Sequence, residues 1–181
     1  MDYKEKIQFS VKVYNGKIIT LEVSQVICPN GNVASREIVH HPGGVAVVAI
    51  DENNYVYMVK QYRIPYDKIM LEIPAGKLDV NENPDDAAAR ELKEETGITA
   101  KEINFIGNFY PTVGFCDENL RMYVAKGLTF GEKSPDEDEF VSVEKIHIDT
   151  LIDMIMKNEI KDGKTIAILF KAREYLRNNL K

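Results

Sequence analysis

Residues 76–98 read GKLDVNENPDDAAARELKEETGI. Asn83 is a favourable N-cap, and Pro84 suits the first helical position because an N–H there would have no partner within the helix. Gly97 readily adopts the left-handed conformation that ends many helices. The stretch therefore predicts a loop, a helix that starts at Pro84, and a stop at Gly97.

The second half of this predicted helix collects negative charge. Glu91 lies three and four residues before Glu94 and Glu95, so the carboxylates repel one another at the negative end of the helix dipole. A divalent cation would relieve this repulsion, and carboxylate oxygens favour hard metals such as magnesium or manganese. Magnesium binds through few carboxylates together with substrate phosphates, so phosphate chemistry follows. The alternative is a solvated acidic helix whose glutamates pair with Arg90 or Lys93.

The composition limits the classes of protein to consider. The chain has 181 residues, 44% of them hydrophobic, which suffices for one large domain with or without a small appendage. A net charge of −6 argues against a nucleic-acid partner. Because no apolar run is long enough to cross a bilayer and the N-terminus is of mixed charge, we expect a cytoplasmic protein without a membrane partner. Two cysteines are too few for a disulfide framework.

The order of patterns along the chain predicts two parts. Around the turn signal Asn15-Gly16, β-branched and apolar residues indicate a hairpin, and with a further strand at 36–39 they predict an N-terminal β module over residues 1–41. The main domain, residues 42–181, combines strands with the helix described above and two later helices, which predicts an α/β layered sandwich with a mixed sheet. Its predicted strands cover 45–50, 55–61, 68–73, 102–109, 120–125 and 140–148, and its later helices cover 151–158 and 165–179.

Residues 76–98 resemble the Nudix box, the metal-binding loop-helix-loop of the Nudix hydrolases. Four further segments are similar to the ADP-ribose pyrophosphatase branch of that family: QYR at 61–63, LEIPAG at 71–76, GFCDE at 114–118, and the tail at 159–165, which contains Asp162, Lys164 and Thr165. The resemblance implies a Nudix-type α/β/α sandwich preceded by a small antiparallel β module. It also implies magnesium-dependent hydrolysis of the pyrophosphate bond of ADP-ribose or related ADP-sugars to AMP and a sugar phosphate, with manganese as a possible substitute. A homodimer that exchanges its N-terminal modules, so that they contribute to dimerisation and substrate contacts, is implied as well.

The resemblance assigns a metal site to the Nudix box. Glu91 and Glu95 would ligate the metal together with the backbone carbonyl of Ala75. Glu94 is the third carboxylate of the catalytic cluster. Arg90 would orient these carboxylates from outside the metal's own ligands, and Glu82 would be structural or close to the metal.

A catalytic base is implied in the acidic loop at 136–139. Glu139 is the first choice and Glu137 the second. The alternative is that this proline-flanked loop is merely solvated.

Substrate recognition is implied for Arg36, Arg63, Glu72 and Gly76. An arginine fork matches the geometry of phosphate, and a glycine lets the backbone approach phosphates closely. The alternative is that the arginines form surface salt bridges and that Glu72 is a buried partner of an arginine.

One position departs from the family pattern. Members with ADP-ribose activity usually carry a proline two residues beyond Pro111, where this chain has Val113. Other substrates therefore stay open, namely GDP-mannose, diadenosine polyphosphates and a nicotinamide dinucleotide such as NADH. A third hypothesis is a non-catalytic module that senses a nucleotide.

Overall fold

The computed structural model describes residues 2–134 and 139–178 and divides the chain into two compact units. The N-terminal unit comprises Met1–Gly43 with the loop Tyr110–Asn119, and the main unit comprises Gly44–Phe109 and Leu120–Lys181.

Three antiparallel strands form the N-terminal unit. They are β1 (Lys6–Asn15), β2 (Thr20–Ile27) and β3 (Val33–His40), in that order in the sheet. The turn at Asn15-Gly16 joins β1 to β2, so the predicted hairpin is confirmed. The loop 110–119 is held against β3 by two backbone hydrogen bonds, from Val39 N to Phe115 O at 2.7 Å and from Asp117 N to Val39 O at 3.1 Å.

The main unit contains one mixed and one antiparallel sheet. The mixed sheet has the order β7-β4-β9-β8, and only the pair β4 and β9 is parallel. The antiparallel sheet has the order β10-β5-β6. These strands are β4 (Gly44–Ala49), β5 (Tyr55–Arg63), β6 (Lys68–Glu72), β7 (Ala75–Lys77), β8 (Ile98–Phe109), β9 (Leu120–Phe130) and β10 (Ser142–His147), with a 3₁₀ turn at Ile64–Tyr66.

Helices cover both faces of the buried strand β4. The helices are α1 (Pro84–Thr96), α2 (Ile148–Met156) and α3 (Gly163–Asn178). Alternate residues of β4 belong to two different core clusters, because side chains along a strand point to opposite faces. Val45 and Val47 pack with residues of α1, whereas Ala46 and Val48 pack with residues of α2 and α3. The predicted α/β sandwich with a mixed sheet is therefore confirmed.

The caps of α1 match the prediction. Asn83 Oδ1 accepts a hydrogen bond from Asp85 N at 2.9 Å, Pro84 is the first helical residue, and Gly97 ends the helix with a φ of 73°. Within the part of the chain that the structure describes, no helix has the length and apolar character to cross a bilayer.

Several predicted boundaries differ from the structure. The last strand begins at Ser142 rather than at 140 and gives way at Ile148 to α2, which starts three residues earlier than predicted. His147 is the reason, because its Nδ1 accepts a hydrogen bond from Asp149 N and so caps α2. The strand predicted from 102 begins at Ile98, directly after the stop of α1. The helix predicted at 165–179 begins at Gly163, and residue 179 lies outside the described residues.

Candidate active site

The short strand β7 brings the backbone against the acidic face of α1. Gly76 pairs with Val45, and a Cβ atom built on Gly76 would overlap the carboxylate of Glu91. A glycine is therefore required for the strand and the helix to approach this closely. The sequence predicts that Gly76 contacts the substrate. In the structure Gly76 lies against the carboxylate of Glu91.

Glu95 lies buried beneath this contact. Its side chain is only 2% exposed, and its Oε2 accepts a hydrogen bond from Ala75 N at 3.1 Å. Burial raises the pKa of Glu95 to about 8, and the charges of Glu91 and Glu139 add to the rise. The Ala75 N–H and the nearby Arg63 oppose it without cancelling it. The predicted metal ligand is thus a carboxyl group whose charged form is disfavoured by burial and by its acidic neighbours.

The pKa of Glu91 is shifted in the same direction. Burial raises its pKa, the charges of Glu94 and Glu139 raise it further, and Arg90 opposes the rise. The repulsion that the spacing of the glutamates predicts is therefore present in the fold, and Arg90 offsets only part of it.

Arg90 connects three glutamates. Its Nε and Nη2 donate to the two carboxylate oxygens of Glu82 at 2.7 and 2.8 Å, and its Nη1 donates to Glu91 at 2.8 Å and Glu94 at 2.9 Å. Nη2 also reaches the carbonyl of Lys77 at 3.2 Å. The guanidinium thus fixes the carboxylates from outside and ties α1 to the loop before it. The sequence left open the alternative that the glutamates pair with Arg90. That pairing is present in the structure, together with the raised pKa of Glu95.

The charge of Glu139 raises the pKa values of both Glu91 and Glu95. The residue is exposed and lines an open cleft of about 520 Å³ in the main unit. Lys60, Tyr62 and Lys133 also line that cleft. The second predicted base, Glu137, lies outside the described residues.

Arg63 and Glu72 form a two-point ion pair. Arg63 Nε donates to Glu72 Oε1 at 2.7 Å, and Nη2 donates to Oε2 at 2.8 Å. Glu72 is 2% exposed, and Lys164 also binds its Oε2. Burial alone would raise the pKa of Glu72, but Arg63 and Lys164 outweigh burial and lower the pKa below its ordinary value. Glu72 is thus the buried partner of an arginine, the alternative that the sequence left open.

Sequence reasoning gave Lys164 no role, although the tail containing it was part of the family resemblance. A signal was present in Asp162, since an aspartate directly before the first helical residue is a favourable N-cap. Asp162 Oδ2 indeed accepts from Thr165 N at 3.0 Å, and Lys164, within the same first turn, forms an ion pair with Glu72.

Two further predicted positions lie in the N-terminal unit. Arg36 is on β3, where its Nε donates to Glu5 Oε2 at 2.9 Å. Val113 is exposed in the loop 110–119.

The comparisons identify the family. The NUDIX domain matches residues 40–167, most of the chain. The chain belongs to the Nudix hydrolases. Two bacterial relatives are each 42% identical: a methanol dehydrogenase activator of Bacillus methanolicus, over 91% of this chain and 90% of its own length, and an ADP-ribose pyrophosphatase of Bacillus subtilis strain 168, over 90% and 89%.

A solved structure has the same Nudix fold. The crystal structure of an ADP compounds hydrolase is 21% identical to this chain and aligns with a TM-score of 0.86 over 98% of this chain and 96% of its own. At that identity the similarity shows the fold alone. The first residue of the NUDIX match, residue 40, lies at the end of β3.

The donor set at the Nudix box fits a hard divalent cation. Among residues 2–134 and 139–178, no three side chains of His, Cys, Asp or Glu form a ready metal cage. Glu91 and Glu95 instead offer carboxylate oxygens beside the backbone of Ala75, which suits a metal that keeps several waters and binds through substrate phosphates. Burial is the main cause of the raised pKa of Glu95, and the charge of Glu91 adds to it, so a cation bound there would stabilise both carboxylates in their charged form.

Proposed function

We propose that this Nudix hydrolase cleaves the pyrophosphate bond of ADP-ribose, or of a related ADP-sugar, to AMP and a sugar phosphate with magnesium as its cofactor. The observation that carries the proposal is the meeting of β7 with the acidic face of α1, where Ala75 N binds the buried carboxylate of Glu95 and Gly76 lies against that of Glu91. The ADP-ribose pyrophosphatase of Bacillus subtilis, alike over nearly all of both chains, supports the choice of substrate.

The residues that would hold the metal are Glu91, Glu95 and the backbone carbonyl of Ala75. When bound, magnesium neutralises phosphate oxygens and makes a water molecule a stronger nucleophile. Arg90 keeps Glu91 and Glu94 oriented toward the site, so that these carboxylates need not rearrange when the substrate arrives.

Glu139 is the proposed general base. Its carboxylate takes a proton from the attacking water as the oxygen forms a bond to phosphorus. The bond between that phosphorus and the bridging oxygen breaks, and the leaving phosphate keeps the electron pair. Arg63 retains guanidinium N–H groups beyond the two that bind Glu72, and these donate to phosphate oxygens of the substrate. Arg36 from the N-terminal module and Gly76 complete the proposed substrate contacts.

A homodimer that exchanges its N-terminal modules is the proposed assembly. Every residue of β1 is exposed, and the apolar residues Ile7, Phe9, Val11 and Val13 are among them. Exposed apolar residues on a strand favour pairing with another protein surface. A second copy of the chain is the proposed partner, with residues 1–41 serving dimerisation and substrate contacts.

The test of this function is the release of AMP. We expect purified protein with magnesium to convert ADP-ribose to AMP and ribose 5-phosphate, identified by chromatography and mass spectrometry. Glu95→Gln should lower kcat at least about a hundredfold, whereas the control Glu52→Gln, at an exposed turn, should not. If ADP-ribose yields no AMP and Glu95→Gln changes nothing on a panel of ADP-sugars, GDP-mannose, NADH and diadenosine polyphosphates, the proposal fails.

A second candidate function comes from the relative in Bacillus methanolicus, an activator of methanol dehydrogenase that is equally similar to this chain. An assay with that dehydrogenase decides between the candidates. Activation by wild-type protein together with negligible AMP release from ADP-ribose would favour the second.

A further inference from the structure

Three side chains at the start of α3 reach the strands that lead into the candidate active site. Asp162 and Lys164 are largely buried, and Thr165 is fully buried. We call Asp162, Lys164 and Thr165 the α3 anchor. The anchor contacts none of the proposed metal ligands. Its contacts with Ile73 and Glu72 instead adjoin two groups that the proposed reaction requires, the backbone of Ala75 and the guanidinium of Arg63.

Thr165 fixes the backbone before Ala75. Its Oγ1 accepts a hydrogen bond from Ile73 N at 2.9 Å and donates to Asp162 Oδ2 at 2.6 Å. Ile73 follows the last residue of β6 and is fully buried, and its N–H donates to this hydroxyl. An unsatisfied buried donor is costly, and the contact therefore determines the course of the chain into Ala75. Ala75 N in turn binds the carboxylate of Glu95.

Lys164 completes a row of alternating charges that ends at Arg63. Its Nζ binds Glu72 Oε2, the oxygen that also accepts from Arg63, and lies 3.0 Å from Asp162 Oδ2. Arg63 and Lys164 therefore share one carboxylate. Because Lys164 also neutralises Glu72, the positive charge of Arg63 is only partly offset and can attract other anions. That charge already acts on Glu95.

We propose that the α3 anchor positions two parts of the active site from a distance of about 90 residues along the sequence. Thr165 holds the Ala75 backbone in place for the metal. Lys164 holds the pair of Glu72 and Arg63 so that the free edge of the guanidinium meets the substrate phosphates. Both are positioning residues, and the inference rests on the function proposed above.

Two substitutions with conservative partners separate these roles. Thr165→Val keeps the shape and removes the hydroxyl, whereas Thr165→Ser keeps the hydroxyl. Lys164→Met keeps the chain length and removes the charge, whereas Lys164→Arg keeps the charge. Mn²⁺ binding without nucleotide is measured by electron paramagnetic resonance, and kcat and KM for ADP-ribose are measured at saturating magnesium.

We expect Thr165→Val to weaken Mn²⁺ binding about tenfold or more, as loss of a supporting contact outside the metal ligands usually does, and Thr165→Ser to restore it to within about threefold. Lys164→Met should raise KM about tenfold, the effect of one weakened hydrogen bond to a charged group, and should leave Mn²⁺ binding within about threefold. Lys164→Arg should recover most of the KM.

Unchanged Mn²⁺ binding in Thr165→Val, or unchanged KM in Lys164→Met, overturns the corresponding half of the inference. A loss of kcat alone in both variants overturns all of it. If Thr165→Val does not fold, Asp162→Ala releases the same hydroxyl at a more exposed position and should weaken Mn²⁺ binding at least about threefold, and no change overturns the role of Thr165. If wild-type protein releases no AMP, the proposed function fails, and the Mn²⁺ measurements still decide the role of Thr165.

Discussion

Arg90 binds Glu82 at two points, with Nε and Nη2 each 2.7–2.8 Å from a different carboxylate oxygen. These residues are eight positions apart and belong to α1 and to the loop before it. The pair holds this loop against the helix that carries the proposed metal ligands, and it lowers the pKa of Glu82. The remaining nitrogen of Arg90 is thereby directed at Glu91 and Glu94.

Removing this guanidinium should destabilise the fold. Arg90→Ala leaves the carboxylate of Glu82 without its partner, and we expect a loss of about 1–3 kcal/mol in the free energy of unfolding. Arg90→Lys should recover only part of it, because an ammonium cannot bind at two points in this geometry. Urea unfolding in the presence of EDTA measures both. The control is Lys93→Ala on the exposed side of the same helix, and a loss as large as that of Arg90→Ala would contradict the prediction.

Gly76→Ala should push the carboxylate of Glu91 away from β7. The added Cβ overlaps that carboxylate, and relief by movement of the chain costs about 1–3 kcal/mol. We expect lower stability together with weaker Mn²⁺ binding, measured by thermal unfolding and by titration. Gly114→Ala is the matched control, because a Cβ there has no neighbour within 4 Å. Equal effects of the two substitutions would show that the contact with Glu91 is unimportant.

The sequence predicted helix α1 well because the residues that mark its two ends act locally. Asn83, Pro84 and Gly97 each act on the backbone within a few residues, so the helix and its ends follow from the residue types. The end of the last strand was predicted less well, since β10 stops where His147 caps α2, and a histidine is not a usual cap.

The site was predicted only in part for the same reason. The crowding of Glu91, Glu94 and Glu95 follows from helical spacing, but the burial that raises the pKa of Glu95 depends on tertiary packing. The ion pair of Glu72 with Lys164 joins residues 92 positions apart, and no periodicity within one segment reveals such a contact.

The contribution of Glu72 to stability should depend on pH. Its pKa is lowered below the ordinary value of 4.5, so its charged form stabilises the fold above that pH, and the stabilisation is lost as the pH falls through the lowered value. Glu72→Gln leaves Arg63 and Lys164 without their shared carboxylate, so the free energy of unfolding should fall most at pH 7. The difference from wild type, measured by urea unfolding, should shrink below pH 4.5. A difference that is constant from pH 7 to pH 3 would contradict this.

The exposed apolar residues of β1 should determine the oligomeric state. Light scattering after gel filtration should give wild-type protein twice the mass of a single chain, which is 20.6 kDa. Replacing Val11 and Val13 together by lysine places charge on exposed positions, so the chain should stay folded but become monomeric. Gln8→Lys, at a polar position of the same strand, should remain dimeric. A monomeric wild type, or a double variant that is still dimeric, would refute the assembly.

The identity of the base can be decided at the acidic loop. Glu139 lines the open cleft of the main unit, and its charge raises the pKa values of Glu91 and Glu95, which makes it the first choice of base. Glu139→Gln keeps the shape of the side chain but cannot accept the proton, and a lost general base typically lowers kcat about 10²- to 10⁴-fold. KM should change little, since the substitution leaves the proposed phosphate contacts of Arg63 intact. The parallel variant Glu137→Gln should retain activity within about threefold, and the reverse ranking of the two would move the base to Glu137. Activity that survives both substitutions would mean that water is activated without either glutamate, and AMP release under single-turnover conditions distinguishes these three outcomes.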